Sequence, residues 1–429
     1  MPQNLPARGH STGALIGTAL ASGLLAVLLS RNFFEYEKKL RQLITTDYSV
    51  GEGAFARTVS QLLGPPLVEG NAIDVLQNGA EIFPAMLQAI RSARRSITFE
   101  NFIFVEGEVS DQFSEALAEQ ARAGVKVHFL QDAMGSNCLH GRAFKLMKRA
   151  GVEVEIFRYL HLTQFNHRTH RKLLIIDGST GFIGGVGISD DWAGHGDCPG
   201  KWRDTQYRVA GPVVGQLQQA FMDNWLQTRA TVLHGDDYFP ELMPAGEISA
   251  QGFQSSACEG SDSARLMFLF SIAAARKSIR IANAFFIPDD LTIRTLVVAA
   301  MRGVKIEVIA PSDLNDQHLA RLVGRSRWRK LFKAGVHFYE FQKALFHCKY
   351  MIVDDCWVCV GSCNLDDRSL RLNDEANLNI LDEKFAAGHI DIFEQDKAAS
   401  VEITFQQWRH RPWREKIQGH AGNLLRSQM

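Results

Sequence analysis

The amino-acid sequence contains an internal repeat, which restricts the possible folds more than any other feature. Residues 92–97 resemble residues 274–279, and residues 101–104 resemble residues 283–286. Further pairs of similar segments follow in the same order, at offsets of about 180 residues. Similar segments in a constant order and at nearly constant spacing indicate a duplicated domain.

Each copy predicts the same order of elements, in which a helix, a short apolar strand, a second helix and a second strand follow one another. Strands that alternate with helices of this length are typical of α/β units around a largely buried sheet. The predicted strands are 96–104 and 125–130 in the first copy and 278–286 and 304–309 in the second, and the predicted helices are 82–94, 111–123, 264–277 and 290–301.

These patterns predict two α/β domains, at residues 70–232 and 263–400. A stretch rich in Gly, Ser, Asp and Pro near residues 233–263 is expected to link them. Residues 1–45 form a separate N-terminal segment, and residues 401–429 form a basic C-terminal tail with aromatic residues.

The charge balance and the cysteines exclude several classes of protein. The 429 residues include 47 basic and 47 acidic side chains, whereas a nucleic-acid-binding protein more often has a basic excess. Nucleic acid is therefore an unlikely partner. The seven cysteines are an odd number, which does not fit a disulfide framework and favours a reducing compartment. Cys356 and Cys359 form a C-x-x-C without a second such pair, so we expect core residues and no metal site.

An uncharged, largely apolar run covers residues 14–29 near the N-terminus. It is shorter than the roughly 20 residues that a spanning helix needs. A weak membrane anchor, a signal-peptide core and a helix packed on the domain are the three alternatives. Basic residues follow the run, which by the positive-inside bias favours an anchor with the catalytic domains on the cytoplasmic side; they are Arg31, Lys38, Lys39 and Arg41.

Each copy also contains one H-x-K-x-x-x-x-D motif with an apolar run between the lysine and the aspartate. This run predicts a buried strand, and residues i and i+2 of a strand point to the same face. One motif therefore presents an imidazole and an ammonium group side by side, and two facing motifs place four such groups around one point. The motifs are His170, Lys172 and Asp177 in the first copy and His347, Lys349 and Asp354 in the second, and all six residues are expected to be catalytic.

This set of groups suits the transfer of a phosphodiester. The lysines would hold the non-bridging oxygens and stabilise the charge of the transition state. One imidazole would attack phosphorus to give a phosphohistidine, and the other would protonate the leaving alcohol. Such a coupled pair predicts a bell-shaped pH dependence and requires neither a metal nor a cofactor. One motif alone could be structural, but two at equivalent places in a repeat favour catalysis.

The residues 361–369, GSCNLDDRS, are close to the G-S-x-N-x-D-x-R-S signature of the phospholipase D superfamily. Residues 72–387 resemble that superfamily, and most of all the bacterial cardiolipin synthases. The resemblance implies two duplicated phospholipase D-type domains, each a mixed sheet flanked by helices. It also implies that they pack pseudo-symmetrically around one active site within one chain. His170 is then the nucleophile and His347 the general acid and base, although the residues alone leave that order open.

The same resemblance implies a carboxylate that orients each histidine, for which Asp204 and Glu375 are the candidates. The alternative is that both are ordinary surface acids. Ser362 and Asn364 are expected to donate hydrogen bonds to phosphate. The first copy departs from the family pattern at Gly187, where an asparagine is common, so one phosphate or backbone contact is expected to be absent there.

Three features favour a lipid substrate and contact with a membrane surface. They are the apolar N-terminal run, the basic segment 321–333 with interspersed apolar residues, and the segment 408–416 with two tryptophans among basic residues. Such segments suit an anionic membrane surface. A solvated face is the alternative, and basic residues with aromatics could also contact nucleic acid.

The leading hypothesis is a phosphatidyltransferase of the inner bacterial membrane that joins two phosphatidylglycerols into cardiolipin and glycerol. Hydrolysis of phospholipids to phosphatidic acid is the second hypothesis, because only the acceptor differs. A nuclease is the third, and it is disfavoured because two motifs lie in one neutral chain. A scaffold without activity is also disfavoured, since both histidines and both lysines are present.

Overall fold

The computed structural model describes residues 12–30, 40–136, 141–157, 166–256 and 263–428. Both copies of the repeat fold into α/β units, as the sequence predicts. The elements of the first half are α1 Thr12–Ser30, α2 Gly53–Leu62, β1 Val68–Gln77, α3 Asn78–Ser92, β2 Ser96–Asn101, α4 Glu108–Arg122, β3 Lys126–Asp132, α5 Arg142–Ala150, β4 Glu153–Phe157, β5 Arg168–Thr169, β6 Leu173–Ile176, β7 Thr180–Gly184, β8 Trp202–Arg203, β9 Thr205–Ala210 and α6 Val214–Arg229.

The second half repeats this order with extra helices at its end. Its elements are β10 Ile248–Ser255, α7 Ser263–Ala274, β11 Ser278–Asn283, α8 Asp290–Met301, β12 Lys305–Pro311, α9 His318–Arg327, α10 Arg329–Lys333, β13 His337–Phe341, β14 Leu345–Phe346, β15 Lys349–Val353, β16 Trp357–Gly361, α11 Asp367–Arg371, β17 Asn373–Leu381, α12 Glu383–Ala398, β18 Ser400–Ile403, α13 Phe405–Arg409 and α14 Trp413–Gly422.

The sheet order confirms the duplication. One half runs β1-β9-β7-β6-β2-β3-β4, and the other runs β10-β17-β16-β15-β11-β12-β13, so each strand of one half has a counterpart at the same place in the other. The two half-sheets join through the antiparallel pair β1 and β10. The result is one continuous mixed sheet with helices packed on its faces, whose two halves are arranged pseudo-symmetrically.

Strand β10 differs from the sequence-based expectation, because residues 248–255 lie in the segment predicted to be a linker. The strand pairs with β17 over seven residues, from Ser249 with Leu381 to Ser255 with Glu375. Its sequence, ISAQGFQS, is rich in small and polar residues, so it lacks the apolar alternation that marks a strand. Tertiary pairing therefore decides its conformation.

The motif strands β6 and β15 lie at the centre of their half-sheets. All four residues of β6 and all five of β15 are buried. Helices pack over them through apolar faces, as α3 does with Ile82, Met86 and Ile90. Because the strands are fixed from both faces, the histidine that precedes each strand has a defined position.

The other sequence features have the following places. Helix α1 covers the apolar run and exposes Leu20 and Leu24. Within the described ranges, no helix combines the length and the apolar character that crossing a membrane requires. Cys359 is buried in β16, and Cys356 lies in the preceding turn. Cys138, Cys258 and the basic residues Arg31, Lys38 and Lys39 lie outside the described residues.

Candidate active site

The two halves exchange short segments where their motifs begin. Strand β5, just before His170, pairs with the start of β17 in the second half. Strand β14, just before His347, pairs with β8 in the first half. Since the residues that follow β8 and the start of β17 are Asp204 and Glu375, each exchange brings a histidine of one half to a carboxylate of the other.

His170 is held by Glu375. Its Nδ1 lies 3.0 Å from both carboxylate oxygens, and its backbone N–H donates to the carbonyl of Asp374 at 2.8 Å. Burial opposes ionisation of Glu375, but His170 and Lys172 together hold the pKa of its carboxyl below the ordinary value. An ionised carboxylate can only accept a hydrogen bond, so Nδ1 of His170 is the donor and Nε2 carries the lone pair.

His347 is held in the same way by Asp204. Its Nδ1 lies 2.7 Å from Oδ2 of Asp204, which also accepts a hydrogen bond from Nε1 of Trp192 at 3.0 Å. The backbone N–H of Thr205 donates to Oδ1 at 2.8 Å. Burial opposes ionisation of Asp204, but His347 and Lys349 hold the pKa of its carboxyl below the ordinary value. Both carboxylates are fully buried, so the reading of them as ordinary surface acids is wrong.

The two lysines stand beside their histidines, as the i and i+2 spacing predicts. The Nζ of Lys172 donates to the carbonyl of His170 at 2.8 Å, and the Nζ of Lys349 donates to that of His347 at 2.8 Å. Lys349 also lies 3.0 and 3.1 Å from the two ring nitrogens of His347. Burial and the charge of Lys349 lower the pKa of Lys172 to about 7, and burial lowers the pKa of Lys349.

The histidines are neutral at pH 7. Burial lowers the pKa of His170 to about 4, against the opposing effect of Glu375. Burial and the neighbouring Lys349 lower the pKa of His347 to about 3. A neutral imidazole with a free lone pair is the form in which histidine attacks phosphorus. The site therefore combines two neutral imidazoles with two lysines that an anion would stabilise in their charged form.

Asp177 and Asp354 do not contact the histidines. Each follows its motif strand, at the opposite end from the histidine, with positive φ values of 52° and 51°. Asp177 accepts hydrogen bonds from the backbone N–H groups of Arg94, Arg95 and Ser96, at 2.7–3.1 Å. Asp354 accepts the equivalent bonds from Arg276, Lys277 and Ser278, at 2.7–3.0 Å. The expectation that these two aspartates lie with the catalytic groups is corrected, because they bind the turn between a helix and the following strand.

This location predicts that Asp177→Ala lowers stability and leaves the chemistry intact. The substitution removes the acceptor of three backbone N–H groups and puts alanine in a left-handed conformation. We expect a loss of about 2–4 kcal/mol in the free energy of unfolding. Asp177→Asn, which tolerates that conformation and keeps one acceptor oxygen, should lose less. Urea denaturation measures both losses, and a turnover number per folded molecule that falls about 100-fold or more would contradict this assignment.

The two halves differ at the equivalent positions Ser362 and Gly185. Ser362 donates from its hydroxyl to Glu375 and receives the backbone N–H of Ala376. At the equivalent Gly185, an added Cβ would lie 2.7 Å from the carboxylate of Asp204. Because Trp192 supplies the hydrogen bond to Asp204, no hydroxyl is needed there. Ser362 thus supports a carboxylate, and its predicted donation to phosphate stays a prediction.

Gly187 and Asn364 are also equivalent. Asn364 is buried and borders the cleft between the histidines, and its predicted donation to phosphate stays a prediction. A Cβ at Gly187 would lie 2.7 Å from Cβ of Ile103 and 3.1 Å from the ring of Trp192. The space that an asparagine side chain would take is thus filled by Ile103 and Trp192. The site is asymmetric at this position, as the sequence predicts.

Both histidines open into a cleft of about 340 Å³. Its walls combine apolar side chains, among them Phe102 and Phe285, with the guanidinium groups of Arg168 and Arg368. Neither arginine is among the site residues predicted from the sequence, although Arg368 stands in the segment GSCNLDDRS. Arg168 lies two residues before His170, so strand periodicity alone predicts that it shares a face with the histidine. Burial lowers the pKa of both guanidinium groups, and the acids Asp316 and Asp366 also line the cleft.

Comparisons with known proteins agree with this geometry. A family model described as "Cardiolipin synthase, PLD-like domain" matches residues 86–193 and 269–397. The major cardiolipin synthase ClsA of Bacillus subtilis is 32% identical over 364 residues, which cover 83% of this chain and 75% of the relative. Cardiolipin synthase A of Pseudomonas fluorescens is 31% identical over 360 residues, which cover 83% of this chain and 74% of that relative.

Similarity to a solved structure supports the fold and carries no conclusion about function. The phosphatidylserine synthase of Haemophilus influenzae superposes with a TM-score of 0.67 and covers 87% of this chain and all of its own, at 13% identity. The duplicated arrangement of two half-sheets is therefore shared with a protein of very different sequence.

Proposed function

The chain belongs to the cardiolipin synthase family of phospholipase D-like proteins, and we propose that it joins two phosphatidylglycerols into cardiolipin and glycerol through a phosphohistidine. The observation that carries the proposal is the exchange of carboxylates between the halves. Glu375 fixes Nδ1 of His170 and Asp204 fixes Nδ1 of His347. This arrangement directs both Nε2 atoms away from the carboxylates, with that of His347 next to Lys349, and makes one site from both halves of one chain.

In the first half of the reaction, Nε2 of His170 attacks the phosphorus of one phosphatidylglycerol. A phosphorus–nitrogen bond forms, the phosphorus–oxygen bond to glycerol breaks, and the departing oxygen takes a proton from His347. The negative charge of the bound phosphodiester raises the pKa of both imidazoles. His347 can then carry this proton although its pKa is low in the protein alone.

In the second half, the hydroxyl of another phosphatidylglycerol gives its proton to His347 and attacks the phosphohistidine. The phosphorus–nitrogen bond breaks, cardiolipin leaves and His170 returns to its neutral state. Lys172 and Lys349 stabilise the charge on the non-bridging oxygens in both steps. The guanidinium groups of Arg168 and Arg368 at the cleft favour the second anionic lipid.

The assignment of His170 as nucleophile is supported by the different surroundings of the two rings. Lys349 contacts both ring nitrogens of His347. In the described part of the chain, no hydrogen bond reaches Nε2 of His170, so its lone pair is available to phosphorus. Asp177 and Asp354 support the fold in this scheme, and catalysis requires no metal and no cofactor.

Membrane association follows from the substrate. In this proposal, the exposed apolar residues of α1, such as Leu20 and Leu24, contact the lipid surface. The proposal places the catalytic domains on the cytoplasmic side, where the basic residues after the apolar run favour them.

The proposal predicts the lipid product in living cells. The intact protein should produce cardiolipin when it is expressed in a bacterial host that lacks its own cardiolipin synthases, and His170→Ala should produce none. Extraction and mass spectrometry of total lipids measure the product. Phosphatidic acid without cardiolipin would indicate that the protein hydrolyses phospholipids and does not transfer the phosphatidyl group, because the two reactions share their first half. An unchanged lipid profile at equal protein levels would contradict both reactions.

A further inference from the structure

A second cleft, which we call the basic cleft, lies between helices α9, α10, α13 and α14 and outside the active site. It has a volume of about 430 Å³. The two basic segments that the sequence places about 80 residues apart, 321–333 and 408–416, meet there. Five of its lining residues are basic, namely Arg329, Lys333, Arg409, Arg411 and Lys416.

None of these five charges is ion-paired with an acid that the structure describes, although Glu415 acts electrostatically on Arg411. No carboxylate lines the basic cleft, and none of the five side chains forms an ion pair with a residue that the structure describes. Glu415 is the acid on the same helix as Lys416, and it pairs with Arg325 at 3.5 Å. Five like charges around one cavity repel each other, and an anionic ligand would relieve that repulsion.

The inner part of the basic cleft is rigid. Trp408 is buried and donates from Nε1 to the carbonyl of Arg325 at 2.7 Å. The guanidinium of Arg411 lies 4.3 Å from the centre of the Trp408 ring and donates to the Trp408 carbonyl at 2.8 Å. Arg411 is only 9% exposed. A buried guanidinium that is held by an aromatic ring and forms no ion pair with a described carboxylate is preorganised to bind a phosphate group.

Exposed apolar side chains stand next to the basic cleft on α14. Trp413 is 65% exposed and Ile417, one helical turn later, is 58% exposed. The guanidinium of Arg414 lies 5.7 Å from the centre of the Trp413 ring. An exposed tryptophan beside basic side chains is typical of the boundary between lipid headgroups and acyl chains.

The basic cleft is also connected to the active site. The segment Asn423–Gln428 continues directly from α14. Gln428 borders the active-site cleft, where its carbonyl accepts a hydrogen bond from Arg368 at 3.0 Å. Arg426 pairs with Asp367 at 2.9 Å. One continuous stretch of chain therefore joins the basic cleft to the rim of the active-site cleft.

We propose that the basic cleft binds the phosphate of an anionic phospholipid in the bilayer surface and docks the protein on the membrane that holds its substrate. Trp413 and Ile417 enter the interface beside that headgroup. The docking lipid is distinct from the two lipids that react. This inference rests on the proposed function only in taking a phospholipid bilayer as the partner.

The test compares the binding of purified full-length proteins to two kinds of vesicle. One kind consists of phosphatidylcholine, and in the other a third of the lipid is phosphatidylglycerol. The variant carries Arg329→Gln, Lys333→Gln and Arg409→Gln, three exposed side chains without ion pairs. The matched control carries Arg91→Gln and Arg122→Gln, which remove exposed charges from the first half. The ratio of binding to anionic and neutral vesicles is measured, because any apolar contribution of α1 cancels in it.

We expect the triple variant to lose on the order of 10- to 100-fold in this ratio, because each basic residue near an anionic surface contributes about fivefold. The control should retain the ratio. Equal ratios for the triple variant and the unchanged protein would overturn the proposal, as would an equal loss in the control. Transfer between short-chain phosphatidylglycerols in solution should stay unchanged in the triple variant. Loss of this transfer activity in the triple variant would overturn the separation of the basic cleft from the active site. Absence of transfer activity in the unchanged protein would contradict the proposed function alone.

Discussion

Replacing His170 with alanine is expected to lower the rate of cardiolipin formation by at least about 10⁴-fold. The reason is that no other group in the site can form the covalent intermediate, since His347 contacts Lys349 through both ring nitrogens. The initial rate of transfer between phosphatidylglycerols in detergent micelles measures the effect. Thermal denaturation should show that the variant remains folded, because removal of a partly solvated side chain leaves the buried strand β6 intact.

The matched control for this variant is His234→Ala, at an exposed position after α6. It should retain the rate of the unchanged protein within about twofold, as is usual for a surface position. Residual activity of His170→Ala within about 100-fold of the unchanged protein would show that the reaction bypasses a phosphohistidine on this residue.

The second large effect is expected for Glu375→Gln, which should lower the rate by about 10³-fold or more. The glutamine keeps the size of the side chain but can donate its amide N–H to Nδ1 of His170. The proton of the ring then moves to Nε2, and the lone pair that attacks phosphorus is lost. The same steady-state assay measures the effect, and the exposed Glu241→Gln is the control.

This variant tests the exchange between the halves, because Glu375 belongs to the second copy and His170 to the first. Asp204→Asn should act in the same way on His347. A rate for Glu375→Gln within about tenfold of that of the control would mean that this carboxylate does not select the ring tautomer.

The sequence was sufficient to predict the duplicated α/β fold, because the repeat and the alternation of strands and helices are local patterns. It was also sufficient to predict that each lysine lies beside its histidine, since the spacing of two residues on a strand determines this. The candidates Asp204 and Glu375 came from the family resemblance. Which histidine each one holds depends on the pairing of β5 with β17 and of β14 with β8, which no local pattern reveals.

Asp177 and Asp354 show a different limit. Their place in the motif suggested a part in the chemistry, but the strand between lysine and aspartate carries the carboxylate to the opposite end of the sheet. With a rise of about 3.3 Å per residue, four intervening residues separate the two groups by well over 10 Å. Both aspartates have positive φ values, so each occupies a left-handed position in a turn. The amino-acid composition does not reveal this backbone conformation.

The basic segments illustrate how separate surface features become one site. In the sequence, residues 321–333 and 408–416 are two stretches with similar composition, and a solvated face was a fair alternative for each. The packing of α14 against α9 brings them together. Trp408 then lies buried beneath Arg411, so this tryptophan does not lie in the membrane interface as the sequence suggested. Trp413 remains exposed and is the tryptophan of this segment that can enter the membrane interface.

The central claim is that a phosphohistidine forms on His170, and its most direct test is to locate the covalent phosphorus. Phosphatidyl-p-nitrophenol with a labelled phosphorus, whose nitrophenolate leaves without a proton from His347, is mixed with the His347→Ala variant, which lacks the base for the second step. The protein is then quenched in alkali and digested. We expect an acid-labile label on the peptide that contains His170, and no label when His170→Ala is added to the same chain. A label on any other peptide, or product formation by the unchanged protein with no covalent label at any time, would contradict it.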